Sequence, residues 1–220
     1  MEALRLGLRA YRDLYDQIWW MLLALVAWWI LNATVVFGPP ATFLLFQEAD
    51  PRQGIWEDRM GPRDWPRYLL SNWVRSWKIA LCTLPVVFLL AFNLNFYGSS
   101  GRTLSFLTPL WFLLLIVAAT ASIVIFAVGG VLNQQAGDAI KNGGRITAIR
   151  FPSVLLIVLL TAILPLLVIS ATLQFTFPLF FLIPGLVAMA VSRYVLAATG
   201  EPLPNPNEPT DERKFERGKH

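Results

Sequence analysis

No Asp, Glu, Lys or Arg occurs in four long stretches: Gln17 to Gln47 (31 residues), Ile79 to Gly101 (23), Thr103 to Gly137 (35) and Phe151 to Ser192 (42). Together they take up 131 of 220 positions. A hydrocarbon core of ~30 Å needs about 20 helical residues per crossing. In lipid, only helices and closed barrels satisfy their own backbone polar groups. Uncharged runs of this length therefore predict an all-α, polytopic membrane helical bundle. Charged residues make up only 15% of the chain, against about 25% in an average soluble domain, so a water-soluble core does not account for it.

Several chemistries lack donors. Cys82 is the single cysteine and lies inside an apolar run, which excludes a disulfide framework and a thiolate metal site. The only histidine is His220, in a polar tail, so no metal, cofactor or catalytic histidine site is expected. Gln17 to Gln47 is too long for the apolar part of a signal peptide, and no small-residue cleavage pattern follows it. The net charge of +4 reads as a topology signal at the cytoplasmic surface rather than a nucleic-acid footprint.

Along the chain, Leu4 to Ile18 predicts a short amphipathic helix, with Leu4, Leu8, Tyr11, Tyr15 and Ile18 on an apolar face and Arg5, Arg9 and Arg12 beside it. It runs into a Trp-rich span, Ile18 to Phe37. Trp19 and Trp20 suit the inner boundary, and Trp28 and Trp29 are expected to pack on another helix. Gly38, Pro39 and Pro40 break that helix, and the apolar arm after them covers about half a bilayer at ~1.5 Å per residue. This arm is a short tilted crossing or a re-entrant segment. Asp64 is placed as the N-cap of a second interfacial helix reaching Lys78. Spans follow from Ile79 to about Tyr97 and from Leu104 to Leu132, with Gly98–Arg102 as a turn. Asp138 is placed as the cap of a third amphipathic piece ending at Arg150 and weakened by Gly143-Gly144. The last apolar run divides into two spans around Ser170 to Thr176, with kinks expected at Pro165 and Pro184. This gives about six membrane-embedded segments, the second short or re-entrant, with cytoplasmic amphipathic helices. Residues 1–199 form one integral membrane domain, and 200–220 are expected to be a disordered polar cytoplasmic tail.

The basic residues orient this plan. Successive non-membrane segments carry 3, 6, 1, 3, 0 and 5 Lys and Arg. If Gln17 to Gln47 crosses an even number of times, the rich segments share one side, as the positive-inside bias requires. The expectation is a multi-pass protein of the bacterial inner (cell) membrane, with both termini cytoplasmic.

The break reads Thr34-Val-Val-Phe-Gly38-Pro39-Pro40-Ala41, and an aromatic-basic helix reads Asp64-Trp-Pro-Arg-Tyr-Leu-Leu-Ser-Asn-Trp-Val-Arg-Ser-Trp-Lys78. A basic amphipathic stretch from Asp138 to Pro152 precedes the last apolar run. In this order of features, over about residues 4 to 199, the chain resembles the YesL family of small bacterial integral membrane proteins, whose activity is not established. The extra proline and the Gly-Gly pair depart from the family pattern. The resemblance implies an accessory membrane component of carbohydrate uptake or sensing, and it supplies no catalytic residues.

Intramembrane ionisable groups are the default markers of transport paths, and the four runs hold none. Asn32, Asn93, Asn95, Gln134 and Gln174 are the polar candidates, and structural hydrogen bonding is their expected role. Gly129-Gly130 reads as a close-packing point. The basic cluster Arg67, Arg75, Lys78, Lys141, Arg145 and Arg150 is the expected surface for anionic membrane lipids or for another integral membrane protein such as a transporter complex. Glu48, Asp50, Glu57 and Asp58 lie among arginines, so ion pairing accounts for them. The chain therefore reads as a non-catalytic accessory subunit. The alternative is a carrier or binder of a neutral or lipid-like solute, built on the proline kinks and Asn32.

Overall fold

The computed structural model describes residues 2–52, 60–99, 107–163 and 177–201. Every regular element among them is a helix: α1 (Glu2–Asp16), α2 (Ile18–Ala33), α3 (Gly38–Glu48), α4 (Trp65–Ser71), α5 (Trp73–Ser99), α6 (Thr108–Val131), α7 (Ala136–Val158), a π-helical turn (Leu159–Ile163) and α8 (Phe177–Thr199). Four of these stretches are long and apolar enough to cross a membrane: Trp73–Gly98, Thr108–Val131, Ala136–Ala162 and Phe181–Thr199. The all-helical membrane architecture thus stands. The turns around Gly98–Arg102 and Ser170–Thr176, Pro165, Gln174, Glu57, Asp58 and the 202–220 tail fall outside the described residues.

Helices α5 and α6 form an antiparallel hairpin whose two halves differ. In the half towards Tyr97 and Trp111, Phe88, Leu89 and Phe92 of α5 and Leu110, Phe112 and Leu113 of α6 are exposed. A surface this apolar needs lipid around it. In the other half, Ile79, Ala80 and the run from Val124 to Val128 are buried. Aromatic rings mark both ends: Trp73 and Trp77 at the start of α5, and Tyr97 stacked on Trp111 at 5.9 Å at the far end. Tyr97 lies 20 residues beyond Trp77. That is roughly 30 Å of helix, the thickness of a hydrocarbon core.

The break at Gly38-Pro39-Pro40 makes the expected helical hairpin of α2 and α3. Pro39 and Pro40 occupy the first turn of α3, where a missing N–H costs nothing. The connecting turn places Val35 at φ +58°, a left-handed conformation that a β-branched residue adopts only under strain. Asn32 serves the turn: its Nδ2 donates to the Trp28 carbonyl at 2.8 Å, and its Oδ1 lies 3.0 Å from where a Gly38 Cβ would sit. Trp28 Nε1 donates to Thr42 Oγ1 at 3.3 Å, and Trp29 meets Phe181 of α8 edge-on at 5.4 Å.

This hairpin lies against the end of α5–α6 that carries Trp77 and Val131. At its tip, Trp77 Nε1 donates to the Val36 carbonyl at 3.0 Å, and Phe37 meets Trp73 at 4.8 Å. Midway along α3, Phe43 packs on Phe126 at 5.8 Å and over Gly129. Beyond α3, Arg52 Nη2 donates to the Val131 carbonyl at 2.8 Å. Tip, middle and exit of the arm all touch the same end of α5–α6, so α3 runs across that end rather than alongside the spans.

Four local expectations are corrected. The packed face of α1 is Leu6, Ala10 and Leu14, whereas Leu4, Leu8 and Tyr15 are exposed. The small Gly7 and Ala10 allow close approach, with Leu160 of the π-helical turn 3.5 Å from a Gly7 Cβ. The Leu160 carbonyl accepts from Tyr11 Oη at 2.7 Å. Asp64 occupies the N-cap position of α4 but makes no side-chain cap bond, and the proposed single helix to Lys78 divides at Asn72. Helix α7 starts at Ala136 with Gln135 at its N-cap, leaving Asp138 in the first turn rather than capping. It runs through Gly143-Gly144 and bends at Arg150 (φ −120°, ψ 27°), where the amphipathic piece was expected to end, because Pro152 cannot donate to the preceding turn. Pro184 lies inside α8, which is helical on both sides of it.

The two glycines of α7 face different surroundings. A Gly143 Cβ would lie 2.8 Å from Ile125 Cα of α6, whereas a Gly144 Cβ meets nothing within 4 Å. Thermal unfolding in detergent should show Gly143→Ala losing about 1–3 kcal/mol through overpacking. Gly144→Ala should instead be neutral or gain up to about 1 kcal/mol from helix propensity.

Candidate functional site

The division of the α4–α5 segment at Asn72 shapes a concave polar region. Asn72 has φ −98° and ψ 2°, and its Nδ2 donates back to the Tyr68 carbonyl at 3.0 Å. This redirects the chain into α5 with Arg75 and Lys78 in its first turns. On the other side, α6 ends and Asn133 takes φ +52°, which Asn tolerates better than most side chains. The left-handed residue turns the chain sharply into α7. Between these two turns lies a cavity of about 460 Å³, lined by Ser71, Asn72, Arg75, Lys78, Gln135 and Gly137 among others.

Arg75 is held in place from two directions. Its Nη1 donates to the Asn133 carbonyl at 2.9 Å and also to Asn133 Oδ1. Its guanidinium carbon sits 5.1 Å from the centre of the Phe43 ring, a cation–π arrangement. Nε and Nη2 are buried and meet no acceptor among the described residues. Lys78 is exposed at the cavity edge. Among the described residues no carboxylate lines the cavity. The first N–H groups of α7, at Ala136 and Gly137, belong to a helix start whose N-cap residue Gln135 makes no capping bond.

Tyr68 lies behind this site. Its hydroxyl is buried and meets no partner among the described residues. Burial raises its pKa above the ordinary tyrosine value, the Glu48 charge adds to that rise, and the Arg75 charge opposes it. Glu48 is fully buried and accepts from two indoles, Trp20 Nε1 at 2.6 Å and Trp65 Nε1 at 3.1 Å. It therefore joins α2, α3 and α4 at one point. Asp50, also buried, is clamped by Arg52 through both carboxylate oxygens. The hydrogen bond that Arg52 donates to Asp50 is the largest reason that the Arg52 pKa is raised, while burial works against it.

Of the six basic residues expected to form one surface, the structure brings Arg75 and Lys78 together at the cavity. Arg67, Lys141, Arg145 and Arg150 are exposed on α4 and α7, outside the cavity lining. Gly38, Pro39 and Pro40 are buried and structural. Gln134 accepts from Asn142 at 2.9 Å, an intrasegment tie. Sequence reasoning missed Tyr68, Phe43 and Asn133. Only Asn133 carried a signal, as an asparagine at a helix end. Among the described residues no cluster of metal-donor side chains occurs. Chemically, the described lining is cationic, with Lys78 exposed at its edge, while Arg75 is tied to Asn133 and Ser71 and Asn72 donate within their own segment.

Comparison of the chain with protein-family models, with curated proteins and with solved structures finds no match in any of the three.

Because burial raises the Tyr68 pKa, the phenol stays neutral in the folded protein above the pH at which an unfolded chain ionises it. Its contribution to stability is complete below the ordinary tyrosine pKa and is lost as pH rises towards the folded value. A near-ultraviolet titration should show Tyr68 ionising late, only as the protein unfolds, alongside Tyr11, whose pKa burial also raises. Tyr68→Phe should remove the Tyr68 part of that late component and leave the remaining tyrosines unchanged.

Proposed function

We propose that the protein is a non-catalytic accessory component of a membrane complex, with its basic helix ends as the docking face. The carrying observation is the contrast between the two ends of the α5–α6 region. The half towards Tyr97 is exposed and apolar, while Arg67, Lys78, Lys141 and Arg145 remain exposed on the helices at and after the other end. A polar, charged rim of this kind suits the acidic loop of an integral membrane partner. The resemblance to the YesL family directs the choice of partner to carbohydrate uptake or sensing. Asn32 and the Gly38 break are absorbed by the turn they build, so nothing about them favours a solute carrier. Purification from native membranes in mild detergent should recover a stoichiometric partner. Substituting Arg67, Lys141 and Arg145 together by Gln should release it. Recovery of the lone chain under several mild conditions would overturn the reading.

The topology proposed with it has six membrane-embedded segments, of which α5, α6, α7 and α8 cross and the α2–α3 hairpin is embedded from the cytoplasmic side without crossing. Both termini are then cytoplasmic. Two facts support this: α3 lies across one end of α5–α6, and the basic residues alternate in the order 3, 6, 1, 3, 0, 5. An impermeant thiol reagent on intact cells carrying single cysteines in a Cys82→Ser background separates the models. Ser100→Cys should label directly, whereas Gln53→Cys and Val36→Cys should label only after permeabilisation. External labelling at either of the last two positions would be incompatible with the embedded hairpin.

A further inference from the structure

We propose that α1 is a lipid-binding helix at the membrane surface, its exposed apolar edge entering the acyl boundary while Arg5 and Arg9 meet phospholipid headgroups. The inference goes beyond the docking role: it requires a bilayer and no protein partner.

Helix α1 carries two apolar edges. Leu6, Ala10 and Leu14 are buried, and a Cβ added at the neighbouring Gly7 would lie 3.5 Å from Leu160. Tyr11 donates to the Leu160 carbonyl at 2.7 Å, which fixes the rotation of the helix on the bundle. The bundle therefore accounts for one edge only. Leu4, Leu8 and Tyr15 form the other, and Tyr15 is 78% exposed. Their spacing by whole turns puts them in one row along the helix. A helix packed on a water-soluble domain turns a polar face outwards. This one turns out leucines and an aromatic ring.

The surface next to this edge says what covers it. The same rhythm continues into α2 through Trp19, Leu23, Val26 and Ile30, all of them exposed. It survives the junction because the Gln17 carbonyl still accepts from the Met21 N–H at 3.0 Å. Helix α2 contains no charged residue, so its exposed side needs lipid. One continuous apolar surface thus runs from a lipid-facing helix onto α1. Arg5 and Arg9 are exposed one position beyond Leu4 and Leu8, about 100° further round the helix. From there an arginine reaches headgroup level while its stem lies on apolar surface. Tyr15 and Trp19 are residue types that gather at the same level. Glu2, Asp13 and Asp16 equal Arg5, Arg9 and Arg12 in number. Apolar burial rather than net charge therefore drives the binding, and zwitterionic lipid suffices.

The test uses the full chain in phosphatidylcholine nanodiscs, with single cysteines in a Cys82→Ser background carrying an environment-sensitive fluorophore. Leu8→Cys reports the apolar edge, Arg9→Cys the headgroup side, and Leu81→Cys, exposed near the start of α5, a lipid reference. At Leu8 the emission should shift to the blue. Phosphatidylcholine brominated near its headgroup should quench it as it quenches position 81. Aqueous iodide should quench position 9 more strongly than position 8. Replacing part of the lipid by phosphatidylglycerol should change none of this. Should Leu8→Cys lower the Tm, Leu4→Cys gives the same readout on the same edge. Equal iodide quenching at positions 8 and 9 without quenching by brominated lipid would overturn the proposal. So would quenching that appears only in anionic lipid. Shielding of position 8 from both quenchers would mark a second copy as the occupant and would overturn it too. The docking reading rests on Arg67, Lys141 and Arg145, none of which the test alters, so the two fail separately.

Discussion

The close approach of α3 to α6 at Gly129-Gly130 is the contact on which the arrangement depends. A Cβ at Gly129 would stand 2.7 Å from the Phe43 ring, and one at Gly130 would stand 3.2 Å from the Phe43 carbonyl. Only a surface without side chains lets a helix lie across another at this range. Once α3 occupies that place, Phe43 becomes the floor under Arg75. The hairpin tip reaches Trp77, and the chain leaving α3 meets the end of α6 through Arg52. The cavity, the position of the hairpin and the path of the following loop all descend from two missing side chains.

Around this contact, polar groups are buried in pairs and triples that each tie distant segments. Glu48 joins the bases of α2, α3 and α4 through two indole donors. Asp50 and Arg52 form a clamp that also binds the last carbonyl of α6. Arg75 connects the start of α5 to the α6–α7 turn. A buried polar group without partners costs about 1–3 kcal/mol, more when charged, so each of these sets admits few alternative arrangements. They sit at one end of the α5–α6 hairpin, whereas its other half is held by apolar contact and by rings such as Tyr97 on Trp111. Specificity is concentrated where the basic residues gather.

The candidate site was partly legible. Arg75 and Lys78 stood out as basic residues of the aromatic-basic helix, and Arg67, grouped with them, is exposed. The same reasoning grouped Lys141, Arg145 and Arg150 with them, because it counted charge by segment and could not see that α7 runs beside α6 before bending at Arg150. Glu48 looked like one more loop carboxylate. Its burial depends on Trp20 and Trp65, which are 45 positions apart and meet edge-on only once α2 and α4 are placed.

Sequence alone determined the class of solvent, the helical backbone that lipid demands, the break at Gly38-Pro39-Pro40 and the segments in which the basic residues gather. Each of these follows from local chemistry: missing charges, a missing N–H, or a count of cations. Tertiary structure alone decided which stripe of α1 packs, that α3 crosses the end of α5–α6, and that Tyr68, Arg75 and Asn133 meet around one cavity. Those outcomes depend on which small residues face each other across helices far apart in the chain, a match of shapes that no periodicity within a single segment encodes.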